Sequence, residues 1–440
     1  MQGRHILSAI LGLGLAIGGI ATVVAAEATI YVGKQQQSGA TISFDGTQST
    51  GRNPMGDEGD KFGIEHYAWD FGDGTSSSGT YLSSTTHIYE QPGTYTVALT
   101  VTAYDGTTGK TSTSVDVGTL PMVTVSGTTG SAIQTAIDSL QGAAGIVDIP
   151  AGDYAVSQQI DIPSGVILKG QGPSKTILKN TSSSDQYILK AAGNNARISA
   201  LAIVGPGESN YGVRNSGYKN LYIDNSDISG FKYATSVSGG STTYENNIIH
   251  HNIRSGSGYG IIVTNAAYAV VRNNEFSHNR HNVAANGDGS VIANTGYDFV
   301  GNHVQYDYDA AVGAELDAHA SANGRFRIVD NVIEDISYGG QFMDGWGEIR
   351  GNTFRNVSGY IWRLGTPVRS GVAVAGAGVR HLDISHNEII DSSPRFWLQY
   401  GTDIQINCRK VDDLIPIDDL QLNWDDCAAA PNPPTGLTVD

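Results

Sequence analysis

The feature that most constrains the fold of this 440-residue chain is a short motif in its second half: Asn, any residue, then an apolar residue. Copies begin at Asn247, Asn274, Asn302, Asn331, Asn352 and Asn387, and Ser226 begins a similar stretch. Steps of 21 to 35 residues, with one short strand motif each, predict a solenoid of about ten coils that bury a common core. Parallel strands of successive coils would lie about 4.8 Å apart, so we expect the Asn side chains to form a structural hydrogen-bonded stack.

Composition agrees with a chain of short strands and tight turns. The 56 glycines lack a three-residue period, which disfavours a long helical bundle, and the 16% of charged residues disfavour an extended disordered chain. The formal charge of −17 excludes broad binding to a nucleic-acid backbone. One helix is predicted from Ser131, the expected N-cap, to Leu140, because apolar residues follow helical spacing there.

The first 26 residues have the pattern of a secretory signal peptide. A positively charged start precedes an apolar stretch from Ile6 to Ala26, which ends in small residues. We therefore expect a secreted or cell-surface protein that contacts a membrane only through this leader, if it stays uncleaved.

Residues 28–118 alternate short strands with turn clusters, which predicts a β-sandwich. The run Trp69-Asp70-Phe71-Gly72-Asp73-Gly74-Thr75, together with the pattern from His87 to Val101, resembles the PKD domain, an immunoglobulin-like sandwich. That resemblance implies a spacer or binding module. We expect Trp69 in its core, and Asp70 and Asp73 as acceptors of backbone hydrogen bonds in the turn.

The second region also resembles a known family. The predicted helix is followed by Val147-Asp148-Ile149-Pro150-x-Gly152-x-Tyr154, by Leu168-Lys169-Gly170-x-Gly172 and by the Asn copies. With these segments, the region resembles right-handed parallel β-helix proteins of the pectate lyase-like superfamily. The resemblance implies that the helix caps the solenoid. The predicted fold class is therefore all-β, with an N-terminal sandwich at 28–118 and a capped parallel β-helix at 123–407.

The C-terminal part contains the only two cysteines, Cys408 and Cys427. In an oxidising compartment we expect one disulfide closing a loop of about 20 residues, a constraint of roughly 3 kcal/mol. Residues 428–440 resemble the opening of a fibronectin type III module, so they are either a linker end or the start of a truncated module.

The candidate site lies around Leu316. If this segment is a strand, Leu316 points to the core while Glu315, Asp317 and His319 point outward. One coil earlier we expect Arg280 and His281 on the same side. Further substrate contacts are predicted from Arg325, Tyr306, Tyr308 and Asp344.

Asp317-x-His319 is also similar to the D-x-H element of β-helix mannuronan epimerases. By that resemblance His319 would transfer a proton and Asp317 would be its partner, while Arg325 would neutralise a uronate carboxylate. Lyases and epimerases acting on uronic acids need these residue types, because a cation must neutralise the carboxylate while a base removes the proton at C5. His281 and Arg280 are expected as a second proton-transferring residue and a second cation.

Three functions remain open from sequence. The first is β-elimination of a uronic-acid-containing polysaccharide. The second is glycoside hydrolysis by a pair of carboxylates among Glu315, Asp317, Asp344 and Asp309. The third is non-catalytic carbohydrate binding or adhesion. In each case the expected partner is an acidic or neutral polysaccharide, and the protein is expected to be a monomer. No metal site is predicted, although calcium is left open as a ligand.

Overall fold

The computed structural model describes residues 25–33, 41–57, 59–207, 209–254, 257–285, 294–306, 315–319, 324–365 and 379–392, and the backbone of several short strands beyond them. Residues 1–24 of the predicted leader, both cysteines, Tyr308, Asp309 and residues 428–440 lie outside the described residues.

The N-terminal unit is a sandwich of two antiparallel sheets. One sheet has three strands, Tyr31–Val32, Thr41–Asp45 and Ser84–Ile88. The other has four, Ile64–Asp70, Ser76–Gly79, Gly93–Ala103 and Thr108–Val117. Trp69 is buried in the shared core, and the carboxylates of Asp70 and Asp73 accept hydrogen bonds from Gly72 and Thr75, so these sequence predictions are confirmed.

The second unit is a parallel β-solenoid of about nine turns, close to the number expected. Each coil contributes one strand in turn to three sheets, which we call A, B and C. Sheet A comprises Met122–Thr124, Gly145–Asp148, Val166–Lys169, Arg197–Ser199, Leu221–Asp224, Ser241–Glu245, Tyr268–Arg272, Gly296–Val300, Arg325–Val329, Gly345–Arg350, Val379–Ser385, Gly401–Ile406 and Arg409–Val411. Sheet B comprises Gly152–Val156, Thr176–Asn180, Ala202–Val204, Asp227–Ser229, Ile248–His250, Glu275–Ser277, His303–Gln305, Val332–Glu334, Thr353–Arg355 and Glu388–Ile390. Sheet C comprises Ile160–Ile162, Tyr187–Ala191, Tyr211–Ser216, Tyr233–Ser238, Tyr259–Thr264, His281–Ala285, Leu316–Ala318, Gly340–Phe342, Trp362–Leu364, Arg395–Leu398 and Ile417–Gln421.

Strands within each sheet are parallel except at the C-terminal edge, where Arg409–Val411 and Ile417–Gln421 pair antiparallel to their neighbours. The strands Val368–Arg369 and Val372–Ala373 form a separate hairpin.

The predicted Asn stack is present at the corner between sheets A and B. The side-chain oxygen of Asn274 accepts from the backbone and side-chain nitrogens of Asn247, and the same pair of bonds joins each later copy to the next. The side-chain amide also donates to a carbonyl of the preceding coil, as Asn331 does to Phe299. The repeat that predicted the solenoid therefore also satisfies the buried backbone groups of its tightest corner.

A single short helix, Gly130–Asp138, covers the N-terminal end of the solenoid core with Ile133, Ala136 and Ile137. Its N-cap is Thr129, whose hydroxyl accepts from the Ala132 amide, rather than the expected Ser131. In the described part of the chain, no helix is long and apolar enough to cross a membrane.

The sandwich packs on the outer face of sheet A. Phe62 packs against Tyr268 and Trp346, and Lys61 donates to the Ala266 carbonyl. Arg197 donates to the Thr41 carbonyl, so a second part of the sandwich also contacts the solenoid. One outer face of the solenoid is thus covered by protein.

Candidate functional site

The candidate site lies on the outer face of sheet C, across two neighbouring coils. Asp317 pairs in register with Ala284 of the strand His281–Ala285. Its neighbours Leu316 and Ala318 are fully buried in the solenoid core, so alternation directs the Asp317 side chain outward, as the sequence indicates.

Asp317 and His319 form a hydrogen-bonded pair. The Nε2 of His319 lies 2.6 Å from the Oδ2 of Asp317, and the two side chains are 15% and 5% exposed. Within the described residues, the Nδ1 of His319 and the Oδ1 of Asp317 have no hydrogen-bond partner. A neutral His319 that donates from Nε2 leaves the lone pair of its buried Nδ1 without a partner among the described residues.

Positive groups surround the Asp317 carboxylate. Burial opposes its ionisation, but the charges of His319, His281 and Arg280, with the hydrogen bond from His319, outweigh burial and hold the pKa of Asp317 below its usual value. An ionised Asp317 fixes the orientation of the His319 ring through their hydrogen bond.

Arg280 and His281 belong to the preceding coil. The His281 ring stacks on Tyr259 at a centroid distance of 5.2 Å, and the Arg280 guanidinium lies 5.9 Å from the same Tyr259 ring centre. Within the described residues no carboxylate lies within ion-pair distance of Arg280, which leaves its charge available to an anionic group. The structure thus brings Arg280, His281, Asp317 and His319 together.

Arg325 is not part of this cluster, and its expected role as a substrate contact is wrong. It lies on sheet A, fully buried under the sandwich, and its Nη1 donates to the carbonyls of Phe62 and Ile64. Its side chain points away from the solenoid core, but that outer face of sheet A is covered by the other domain.

Glu315 also departs from the expectation. It precedes the strand Leu316–Ala318, at a corner where strand alternation does not apply, and it is 2% exposed. Its carboxylate accepts from the side-chain amide of Asn282 at 2.5 Å, so it does not face outward with Asp317.

Tyr306 and Asp344 lie apart from the four-residue cluster. Tyr306 is half exposed at the corner after sheet B and packs against His278. Asp344 is buried between sheets C and A, where its carboxylate accepts from the Gly345 amide; burial raises its pKa while Arg380 acts in the opposite direction. The sequence offers several carboxylates as a hydrolytic pair. Among those that the structure describes, only Asp317 lies in the cluster.

Sequence reasoning missed the tyrosines that lead to this cluster. Tyr187, Tyr211, Tyr233 and Tyr259 each begin a strand of sheet C, pair in register, and end at His281. One tyrosine per coil at the same strand position was the signal that would have found them. Across the described ranges, no group of three or more His, Cys, Asp or Glu side chains has a metal-binding arrangement.

Comparisons with known proteins agree with both units. Residues 24–117 match the PKD domain model, and residues 126–324 match the model of rhamnogalacturonase A/epimerase, pectate lyase-like proteins. A search of curated proteins finds no match.

Solved structures with related folds are distant. A structure of carbohydrate-binding modules from the β-sandwich superfamily is 28% identical over 22% of this chain, which spans only 35% of that protein (TM-score 0.19). The Yersinia enterocolitica family 28 exopolygalacturonase is 12% identical, covering 90% of this chain and 100% of that one (TM-score 0.43). The A-module of the Azotobacter vinelandii mannuronan C-5 epimerase is 17% identical, covering 63% and 95% (TM-score 0.35).

Proposed function

Because this chain combines a PKD domain with a pectate lyase-like parallel β-helix, we propose that it is an exported polysaccharide lyase that cleaves a uronic-acid-containing polymer by β-elimination. The observation that supports this most is the cluster on sheet C: one ionised carboxylate bonded to His319, with a second imidazole and a guanidinium beside it. A polysaccharide-active enzyme is plausible from the family match alone, and the choice of elimination rests on this cluster.

Each group has a role in the proposed reaction. The Arg280 guanidinium pairs with the uronate carboxylate and stabilises the charge that develops as the C5 proton leaves. His319 accepts that proton while Asp317 holds the ring in place. The C5–H electron pair forms the C4–C5 double bond, the C4–O bond breaks, and His281, entering protonated, gives its proton to the leaving oxygen.

The composition of the cluster favours elimination over hydrolysis. Retaining and inverting hydrolases ordinarily use two carboxyl groups on either side of the scissile bond. In the described part of the chain Asp317 has no second outward carboxylate beside it, since Glu315 is bonded to Asn282 and Asp344 to its own turn.

The test is an assay of the full chain on alginate, polygalacturonate and glycosaminoglycans, following the ultraviolet absorbance of the unsaturated product and, in parallel, new reducing ends. We expect both signals to rise on one of the polyuronates. His319→Ala should lower the rate about 10²–10⁴-fold, as expected for loss of a general base. His303→Ala is the matched control, because His303 lies on sheet B and bonds Glu334.

Reducing ends without ultraviolet absorbance would replace elimination with hydrolysis. Binding without either signal would leave an adhesion or carbohydrate-binding protein. Full activity of His319→Ala would refute the assignment of the site.

A further inference from the structure

The sandwich and the solenoid share a small hydrophobic core of their own. Its members are Phe62 of the sandwich and Tyr268, Val270 and Trp346 of sheet A, each at most 3% exposed. Tyr104 of the sandwich adds an edge-to-face contact with Trp346, with 5.5 Å between the ring centres. Without the sandwich these outward side chains of sheet A would contact water, so their burial stabilises the docked arrangement.

Arg325 is enclosed by aromatic rings from both units. Its guanidinium carbon lies 5.5 Å from the ring centre of Phe62, 5.6 Å from that of Tyr268 and 5.8 Å from that of Trp346. Its Nη1 also donates to the sandwich carbonyls of Phe62 and Ile64, at 3.1 and 2.8 Å. The sandwich therefore supplies both a ring and hydrogen-bond acceptors to a fully buried cation of the solenoid.

Polar contacts extend this interface along sheet A. Arg197 of an early coil and Arg327 of a later one each donate to a sandwich carbonyl at 2.8 Å. Between them, the Ser241 hydroxyl donates to the Asp45 carboxylate at 2.6 Å. Contacts spread over several strands resist rotation of one unit against the other, whereas a small interface would permit it.

The connection between the two units is short. The last sandwich strand ends at Val117 and the first strand of sheet A begins at Met122, so residues 118–121 alone lie between them. A fully extended segment of that length spans at most about 14 Å. It holds the sandwich close to the solenoid and does not provide the reach of a long flexible linker.

The interface lies on the same coils as the candidate cluster. The sheet C strand His281–Ala285 is followed in the chain by Gly296–Val300 of sheet A, where Asp298 accepts from the Ser83 hydroxyl of the sandwich at 3.5 Å. The strand Leu316–Ala318 is followed by Arg325–Val329, whose two arginines donate to sandwich carbonyls. The sandwich therefore contacts the sheet A strands of both coils that carry the cluster.

One core side chain joins this interface to the cluster. Tyr297 and Asp298 are adjacent on a strand, so Tyr297 points into the solenoid core while Asp298 faces the sandwich. The Tyr297 hydroxyl donates to the Asp317 carbonyl at 3.4 Å, and its ring packs edge-to-face on Phe326 at 5.1 Å. A shift of this strand would therefore move a direct contact of the Asp317 backbone.

We infer that the sandwich is a fixed structural part of the solenoid and that it braces the two coils that carry Arg280, His281, Asp317 and His319. The sequence resemblance implies a spacer or a free binding module, but a shared core, buried hydrogen bonds and a short connection favour permanent docking. The sandwich holds neighbouring coils in register from sheet A, while the cluster lies on sheet C. This bracing is independent of which reaction the cluster performs.

The first experiment asks whether the sandwich stays bound once the chain connection is cut. A specific protease site is inserted within residues 118–121 of the full chain, and the cleaved protein is passed over a size-exclusion column at micromolar concentration under native conditions. We expect the two fragments to elute together, and scanning calorimetry of the uncut chain should show one transition. Separation of the sandwich, or a second transition that belongs to the sandwich alone, would overturn the inference.

The second experiment measures amide hydrogen exchange in the uncut chain. Phe62→Ala removes the sandwich ring from the shared core, whereas the control Leu168→Ala removes a core side chain from an N-terminal coil. We expect Phe62→Ala to raise exchange at least about tenfold in Leu316–Ala318 and Arg325–Val329, while Tyr187–Ala191 stays near the parent rate. Leu168→Ala should instead raise exchange in the N-terminal coils.

Unchanged exchange in Leu316–Ala318 of Phe62→Ala would mean that the sandwich does not brace the cluster. The cleavage experiment needs no substitution in the interface, so it decides the docking even if Phe62→Ala does not fold. Neither measurement uses catalytic activity, so both remain valid if the proposed reaction is wrong.

Discussion

The contact between the two domains depends on the Asp298 carboxylate, which lies among buried cations on sheet A. The Nε of Arg327 donates to its Oδ1 at 2.7 Å, and the Nη2 of Arg327 contacts its Oδ2. The Nη2 of Arg325 lies 3.7 Å from Oδ1, and the Tyr268 hydroxyl donates to Oδ2 at 2.5 Å. Arg325, Arg327 and Asp298 are each at most 1% exposed, so water does not screen the group.

Asp298→Asn removes the carboxylate that bonds Arg327 and leaves two buried guanidinium groups. Unit charges 4 Å apart interact by about 4 kcal/mol at an effective dielectric constant near 20. Loss of one partner of a buried pair typically costs about 3–5 kcal/mol. We expect a loss of stability in that range.

Thermal unfolding measures this loss. At about 2–4 °C per kcal/mol for a domain of this size, the midpoint should fall by roughly 6–20 °C. Asp153→Asn is the matched control: it removes the same charge from the exposed pair with Lys179 and should cost about 0–1 kcal/mol. If the two variants unfold at the same temperature, the carboxylate does not hold the domains together.

The pH dependence has a defined sign. Burial alone would raise the pKa of Asp298, but the charges of Arg327 and Arg325, with the hydrogen bonds from Arg327 and Tyr268, hold it below its usual value. The stability that Asp298 contributes is therefore fully present above the pKa of an aspartate in the unfolded chain, about 3.9. It is lost as the pH falls through the lower pKa of Asp298 in the folded protein. The difference between wild type and Asp298→Asn should stay constant from about pH 5 to pH 8 and shrink only in stronger acid.

Two further substitutions test the solenoid itself. Asn331→Ala removes the side-chain hydrogen bond to Asn352 at 2.8 Å and the one from the Asn302 backbone amide at 2.7 Å. Urea unfolding should therefore show a loss of about 3 kcal/mol in the free energy of unfolding. A loss below about 1 kcal/mol would mean that the protein does not need the stack for stability. Thr129→Ala should cost about 1 kcal/mol as loss of an N-cap, whereas Ser131→Ala should cost less; the reverse order in the same unfolding assay would contradict the cap assignment.

The sequence predicted those features that depend on local periodicity. The Asn repeat identified the coils because each copy must occupy the same corner, and strand alternation placed Leu316 and Asp317 on opposite faces. The PKD motif likewise predicted the core position of Trp69. In each case the governing interaction lies within one coil or between residues at a fixed step along the chain.

Features that depend on domain packing were not predictable from periodicity. Arg325 follows His319 closely in sequence, yet it lies on sheet A, whereas the strand before His319 belongs to sheet C. Lys61 and the adjacent Phe62, which precede the strand Ile64–Asp70 of the sandwich, contact the solenoid at the Ala266 carbonyl and at Tyr268. Neither contact leaves a regular spacing in the sequence.

The register neighbours of the arginines distinguish a buried, neutralised position from an exposed one. On sheet A, Arg272 bonds Glu245 and Arg327 bonds Asp298, each on the adjacent coil and directly in register. On sheet C, Arg214 has Lys190 and Ser236 as its register neighbours. An arginine whose neighbour one coil away is acidic is neutralised within the protein and can be buried under the sandwich. Arg214, which has no such neighbour, stays exposed at the surface, because burying it unpaired would cost several kcal/mol. The register of the coils therefore separates Arg327, which lies opposite Asp298, from Arg214, which lies opposite a lysine and a serine.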